Sequence, residues 1–157
     1  AKAGGARVIV TSSSDEKLEQ ARKLGADDTL NYRTTPDWDQ AVIELTGGRG
    51  ADIVVEVGGS GTLDKSIAAV KLGGNVALIG VLTGAGGQMN TAAILRRHIR
   101  VQGIYVGSRE MFEDMNRAID VHAIRLPIGR SFGFEEARAA YGYLDGATHT
   151  GKVTIRM

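Results

Sequence analysis

A chain of 157 residues with 43% hydrophobic and 24% charged side chains has the make-up of one ordinary globular domain with a sizeable core, and is too short for two full ones. A formal net charge of +1 leaves no broad basic field for nucleic acid or a membrane surface, and no apolar run approaches the roughly 20 residues of a membrane span. Zero cysteines exclude disulfides and thiolate zinc sites, and with no signal-peptide pattern the expected location is cytoplasmic.

In chain order, Arg7 to Thr11 reads as a short buried strand. A helix follows, with Ser13 and Glu16 spaced as a capping box, Leu18, Ala21 and Leu24 as its apolar stripe and Gly25 as its stop. Thr29 to Tyr32 is a second strand; Thr35-Pro36 then opens a helix that turns Ala41, Val42 and Leu45 inward and ends at Gly47-Gly48. Asp52 to Val57 is a third strand. Its Ile53-Val54-Val55 run is too uniformly apolar for a sheet with one wet face, so helices are expected on both sides.

Gly58 to Gly61 turns the chain into a helix over Leu63 to Leu72, and a fourth strand follows at Val76 to Val81. A glycine-rich loop, Gly84 to Gly87, leads to a short helix at Thr91 to Arg97, a fifth strand at Val101 to Val106 and a helix at Glu110 to Val121. The basic cluster Arg96, Arg97, His98 and Arg100 straddles a helix end, where cations suit the helix dipole. This alternation predicts right-handed crossovers and a parallel, doubly wound α/β sheet. The rhythm then breaks: an extended Leu126 to Phe132 with Pro127, a helix at Phe134 to Leu144 and a strand at Lys152 to Met157 read as a return to a second domain or a cap on the first.

The 22 glycines fall singly or in pairs, as helix ends and tight turns require. Ala1 to Val10 repeats the layout of Val70 to Ile79, a helix end, a double glycine and a strand, so residues 1–3 are expected to be a helix's last turn and the chain to start in mid-unit. The G-x-G-x-x-G turn of dinucleotide-binding domains is absent. Gly59-Ser60-Gly61 continues to Asp64, and Gly84-Ala85-Gly86 to Met89, so both read as turns.

The order of Val10 to Lys17, Leu24-Gly25-Ala26-Asp27, Asn31-Tyr32, Ala51 to Gly59, Leu72-Gly73-Gly74, Leu78 to Val81 and Gly151-Lys152-Val153 resembles the medium-chain dehydrogenase/reductases, which include zinc alcohol dehydrogenases and zinc-free quinone oxidoreductases. The resemblance covers essentially the whole chain. It implies a Rossmann sheet truncated at its N-terminus, with residues 1–124 as a partial dinucleotide-binding domain and residues 125–157 returning to the catalytic domain. It further implies a parent oxidoreductase that moves a hydride between a nicotinamide cofactor and an alcohol, aldehyde or quinone, the small-molecule substrate being held by the domain not in this chain. A freestanding, non-catalytic dinucleotide-binding or interaction module is the alternative.

The resemblance assigns cofactor contacts to the turns after strands, where doubly wound sheets bind ligands. Ser12 and Ser13 stand where an NAD-preferring enzyme carries an acidic residue, and Lys17 and Tyr32 match a lysine and a tyrosine that contact the 2'-phosphate of NADP. NADP is therefore expected over NAD, although Asp15 could still reach a ribose hydroxyl. Val57 and Gly58 would border the adenosine half; Gly80, Val81 and Leu82 the nicotinamide ribose; Gly103, Ile104 and Tyr105 the carboxamide. No catalytic residue is expected in this chain, and His98, His122 and His149 lack ligand spacing, so any zinc of the parent would be bound elsewhere. A missing central strand would leave its neighbours with unpaired edges, to be covered by altered pairing or by a homo-oligomer, the family's dimers often joining near Val101 to Val106.

Overall fold

The computed structural model describes all 157 residues, which form two compact units, Ala1–Val106 and Gly107–Met157. The residues of the helix expected at Glu110 to Val121 lie in the second of these units.

The first unit opens on a 3-10 turn, Lys2–Gly4, closed by Gly5 at φ 76°, which is the helix-end geometry expected there. Strands β1 (Ile9–Ser12) and β2 (Asp28–Asn31) pair in parallel around helix α1 (Asp15–Lys23), and helix α2 (Trp38–Leu45) follows. The N-cap of α1 is Ser14, one residue later than expected: the Ser12 hydroxyl accepts the Ser14 N–H at 3.3 Å, and the extended Ser14 presents its own oxygen to the Lys17 N–H.

Strands β3 (Ala51–Glu56), β4 (Val70–Leu78) and β5 (Arg100–Gly103) form a second parallel sheet in the order β3-β4-β5, connected by helices α3 (Leu63–Ala69) and α4 (Thr91–Arg96). Helix α3 stops at Ala69, not at Leu72. The Arg97 guanidinium explains the early stop, since it donates to the carbonyls of Ile67, Ala68 and Val70, which the helix end leaves without partners. Val70 is thereby already extended, and the strand absorbs the extra residues in a register shift between Ala51 and Ile53.

Ile67, Val70, Val76 and Ile99 make the core beneath α3 and α4, with Val54, Leu63, Ala93, Ile94 and Val101 packed around it. Each such aliphatic side chain contributes about 1.5–3 kcal/mol on burial. Successive strand residues point to opposite faces, so Ile53 and Val55 lie across the sheet from Val54, and both are 61% exposed. Coverage by helices on both faces, expected from the apolar run, is therefore met within this unit on one face. The β1-β2 and β3-β4-β5 sheets are not joined, which leaves β1 and β3 each paired along one edge at the place where a further strand was expected.

In the second unit helix α5 (Arg109–Val121), capped by Ser108, precedes strand β6 (Ile128–Gly133), a 3-10 turn at Phe134–Glu136, helix α6 (Ala137–Asp145) and strand β7 (Lys152–Arg156). β6 and β7 are parallel, so the segment that breaks the rhythm is itself a strand-helix-strand unit. The buried Phe132 packs on Tyr143 with ring centroids 5.8 Å apart, and Arg130 covers the Phe132 ring.

At the amino end of β3, Asp52 accepts hydrogen bonds from the Arg49 guanidinium and then from Lys71, which hold its carboxyl at about 2 against an ordinary 3.8. A carboxyl depressed on folding stabilises the native state above its unfolded pKa and loses that contribution as pH falls through the folded one. Replacing Asp52 by Asn should flatten the fall in urea midpoint between about pH 4 and pH 2, where the bridged carboxylate is titrated. Parallel acid branches for the two proteins would show that the bridge contributes nothing.

Candidate functional site

The carboxyl ends of parallel strands are where a doubly wound sheet receives ligands, and the candidate residues gather there in two groups. The first lies at the ends of β1 and β2. Ser12 pairs in register with Asn31, and the Tyr32 N–H donates to the Ser12 carbonyl at 3.1 Å, so Ser12, Ser13 and the 44% exposed Tyr32 occupy neighbouring chain turns. Lys17 is half-buried in the first turn of α1. Asp15 is engaged: Asn31 Nδ2 donates to its carboxylate at 2.7 Å, while Asn31 Oδ1 accepts the Arg33 N–H at 3.0 Å.

The second group is built on Glu56, the last residue of β3 and only 3% exposed. Its Oε1 accepts from the Gly58 N–H at 2.6 Å, the Gly59 N–H at 2.9 Å and the Thr62 hydroxyl at 2.7 Å; its other oxygen takes the hydroxyl of the buried Ser66. One carboxylate thus fixes the start of the β3-α3 turn and ties it to the first turns of α3. Backbone N–H groups turned inward onto a side chain have their hydrogen-bonding capacity satisfied within the chain, which restrains the loop.

The β4-α4 turn lies directly against this one. The Leu82 N–H donates to the Val57 carbonyl at 3.3 Å and the Thr83 N–H to the Gly58 carbonyl at 2.6 Å. Glycine is required at the crossing. A Cβ on Gly59, whose φ is +88°, would stand 2.8 Å from Val81 Cα, and one on Gly80 would stand 2.5 Å from the Val57 carbonyl oxygen. Val57, Gly58, Gly80, Val81 and Leu82 therefore meet as one backbone seam.

Gly103 pairs with Leu78 at the end of β5, and the Ile104 N–H donates to the Leu78 carbonyl at 2.9 Å. The strand ends there instead of running to Val106, because β4 offers no ladder partner past Leu78. Ile104 and Tyr105 are consequently outside the sheet, and Tyr105 is 98% exposed. The histidines do not converge, and no group of three His, Asp or Glu side chains is placed to hold a metal ion.

Sequence reasoning gave no site role to Glu56, Thr62, Ser66, Thr83 or Asn31. A signal for Glu56 existed: it is the one charged residue among four apolar ones in Ile53-Val54-Val55-Glu56-Val57, a place where burial demands a full set of hydrogen-bond donors.

The model of the family described as zinc-binding dehydrogenase matches residues 1–121. The chain belongs to the zinc-binding dehydrogenase family. A zinc-type alcohol dehydrogenase-like protein of Schizosaccharomyces pombe is 42% identical over the whole chain, which covers 46% of that relative. Among solved structures, a candidate alcohol dehydrogenase of Sinorhizobium meliloti superposes with a TM-score of 0.92 at 42% identity, over 100% of this chain and 46% of its own. A NAD-dependent alcohol dehydrogenase follows at 0.89 and 34% identity, covering 98% and 44%. A crotonyl-CoA carboxylase/reductase in complex with NADP gives 0.90 at 25% identity, covering 98% and 44%. This zinc-binding dehydrogenase chain spans about half the length of the relatives it matches. The zinc of the family name finds no ligand set among its residues.

Glu56→Ala should lower the stability of the protein by about 2–4 kcal/mol, because several buried donors lose their acceptor together. Glu56→Gln, which keeps an acceptor oxygen, should cost less. Urea denaturation of both variants measures this, and equal costs would mean that the charge and not the acceptor matters.

Proposed function

We propose that this chain is the cofactor-binding half of an NAD(P)-dependent oxidoreductase that moves a hydride between a nicotinamide cofactor and an alcohol, aldehyde or quinone. The observation that carries the reading is the pair of fixed turns at the ends of β3 and β4, an interlocked backbone surface where this fold class binds its ligand, in a chain that superposes along nearly its whole length on dehydrogenases. The cofactor supplies the hydride chemistry; the protein binds, orients and excludes water. On this reading the substrate is held by residues outside this chain, zinc where present belongs to that same part, and the chain by itself contributes no catalytic group. Its relatives are oxidoreductases, which favours this over a freestanding module.

Within that reading NADP is the preferred cofactor. Asp15, the acid nearest the end of β1, is held by Asn31, and hydroxyl side chains line the turn where a ribose diol would seek a carboxylate. Ser12 and Ser13 would donate to a 2'-phosphate, Lys17 would supply its countercharge and Tyr32 would close over it. Val57, Gly58, Gly80, Val81 and Leu82 would follow the rest of the dinucleotide, and Gly103, Ile104 and Tyr105 its carboxamide end. The protein is also proposed to work as a homo-oligomer joined through the free edge of β5; light scattering that returned a monomer would remove that element.

Fluorescence titration of the native-length protein with NADPH and NADH tests the assignment. Lys17→Ala should weaken NADPH binding by about 10-fold, the loss of one charge-assisted hydrogen bond, and leave NADH within about 2-fold. Tighter binding of NADH by the unmutated protein would reverse the preference, and binding of neither would overturn the functional reading.

A further inference from the structure

We infer that Thr83 is a positioning residue that pins the β3-α3 and β4-α4 turns into a single cofactor-facing unit; the inference rests on the dinucleotide reading above. The Thr83 hydroxyl does two things at once. It donates to the Gly58 carbonyl at 2.8 Å, beside the Thr83 N–H that donates to the same oxygen at 2.6 Å, and it accepts the Gly61 N–H at 2.8 Å. One hydroxyl therefore bridges the entry and the exit of the opposite turn.

The rest of the seam agrees with this. Ser60 reaches across through both its N–H and its hydroxyl to the Gly84 carbonyl, at 3.4 and 3.3 Å. Gly61 has no room for a side chain, since a Cβ there would stand 2.7 Å from Thr83 Oγ1 and 3.0 Å from Thr83 Cβ. Gly87 faces Ser60 in the same way, with a Cβ falling 2.6 Å from Ser60 Cβ. Glu56 anchors the β3-α3 turn from within the fold, and Thr83 locks it to its neighbour from the exposed side. Two loops that must present Gly58 on one side and Gly80 to Leu82 on the other cannot adjust independently, so the spacing between the two halves of the site is set before the dinucleotide arrives. Preorganisation of that kind lowers the ordering cost of binding.

Removing the pin leaves the side-chain volume in place and frees the loops. Thr83→Val in the native-length protein should weaken binding of NADPH by roughly 3- to 10-fold, the loss of two net hydrogen bonds in a partly solvated setting. Thr83→Ser, which keeps the hydroxyl, should restore binding to within about 2-fold. The same variants should separate in amide hydrogen exchange: Gly61 loses protection in Thr83→Val and regains it in Thr83→Ser. Gly61→Ala, which wedges a methyl group against Thr83, should reproduce the binding loss by a second route, and it decides the matter if Thr83→Val does not fold. Unchanged NADPH binding in both Thr83→Val and Gly61→Ala, with the unmutated protein binding normally, overturns the inference alone. Failure of the unmutated protein to bind NADPH or NADH overturns the functional reading on which it rests.

Discussion

A buried carboxylate at the end of an apolar strand is costly to desolvate, and the fold answers that cost at Glu56 by turning two backbone N–H groups and two hydroxyls onto it. The consequence is geometric. With Gly58 and Gly59 bound inward, the β3-α3 turn is shaped by this chain's own side chain, and α3 starts in register with it. The β4-α4 turn then has a fixed surface to settle against, and glycines at positions 59 and 80 let the two backbones approach to a separation that any Cβ would forbid.

This changes the meaning of the glycines. In the sequence they read as punctuation, and several are: Gly5, Gly47 and Gly48 take positive φ in open turns. Gly61, Gly80 and Gly87 do not need positive φ; they are small because another chain segment occupies the space. Sequence alone does not separate these two reasons, since both produce a glycine between a strand and a helix. The same limit hid Thr83, whose partners Gly58 and Gly61 are more than twenty positions away and become neighbours only when β3 and β4 pair.

The parallel strands and their crossover helices were legible because each is encoded locally, in short apolar runs followed by hydroxyl caps and helical stripes. Element ends were less so, for identifiable reasons. Helix α3 is cut short by Arg97, which acts from the far end of α4, and β5 is cut short because its ladder partner runs out. The cap of α1 is Ser14 and not Ser13 because each of three consecutive serines can serve as an N-cap, and Ser14 is the one whose hydroxyl receives the Lys17 N–H, while Ser12 accepts the Ser14 N–H. Of the candidate site, Ser12 and Tyr32 are neighbours at the ends of β1 and β2, and Val57, Gly58 and Gly80 to Leu82 meet along the seam, whereas Ile104 and Tyr105 leave the sheet.

The two groups of candidate residues rest on different physics. On the proposed reading the side chains of Ser12, Lys17 and Tyr32 would carry the chemistry, so cofactor discrimination there would follow from charge and would change with a single substitution. Along the seam the backbone carries the geometry, and side chains enter as small residues that leave room or as polar groups that tie the turns, Glu56 with Thr62 and Ser66 on one side and Ser60 and Thr83 across it. A site divided in this way would be able to alter which phosphate it prefers without disturbing where the nicotinamide end is held. Hydride transfer depends on that placement, because an effective reaction requires the reacting atoms to be held at near-contact distance. On the proposed reading the seam is the preorganised part of the site, and the turns after β1 and β2 are the part where side-chain charge would read the cofactor's identity.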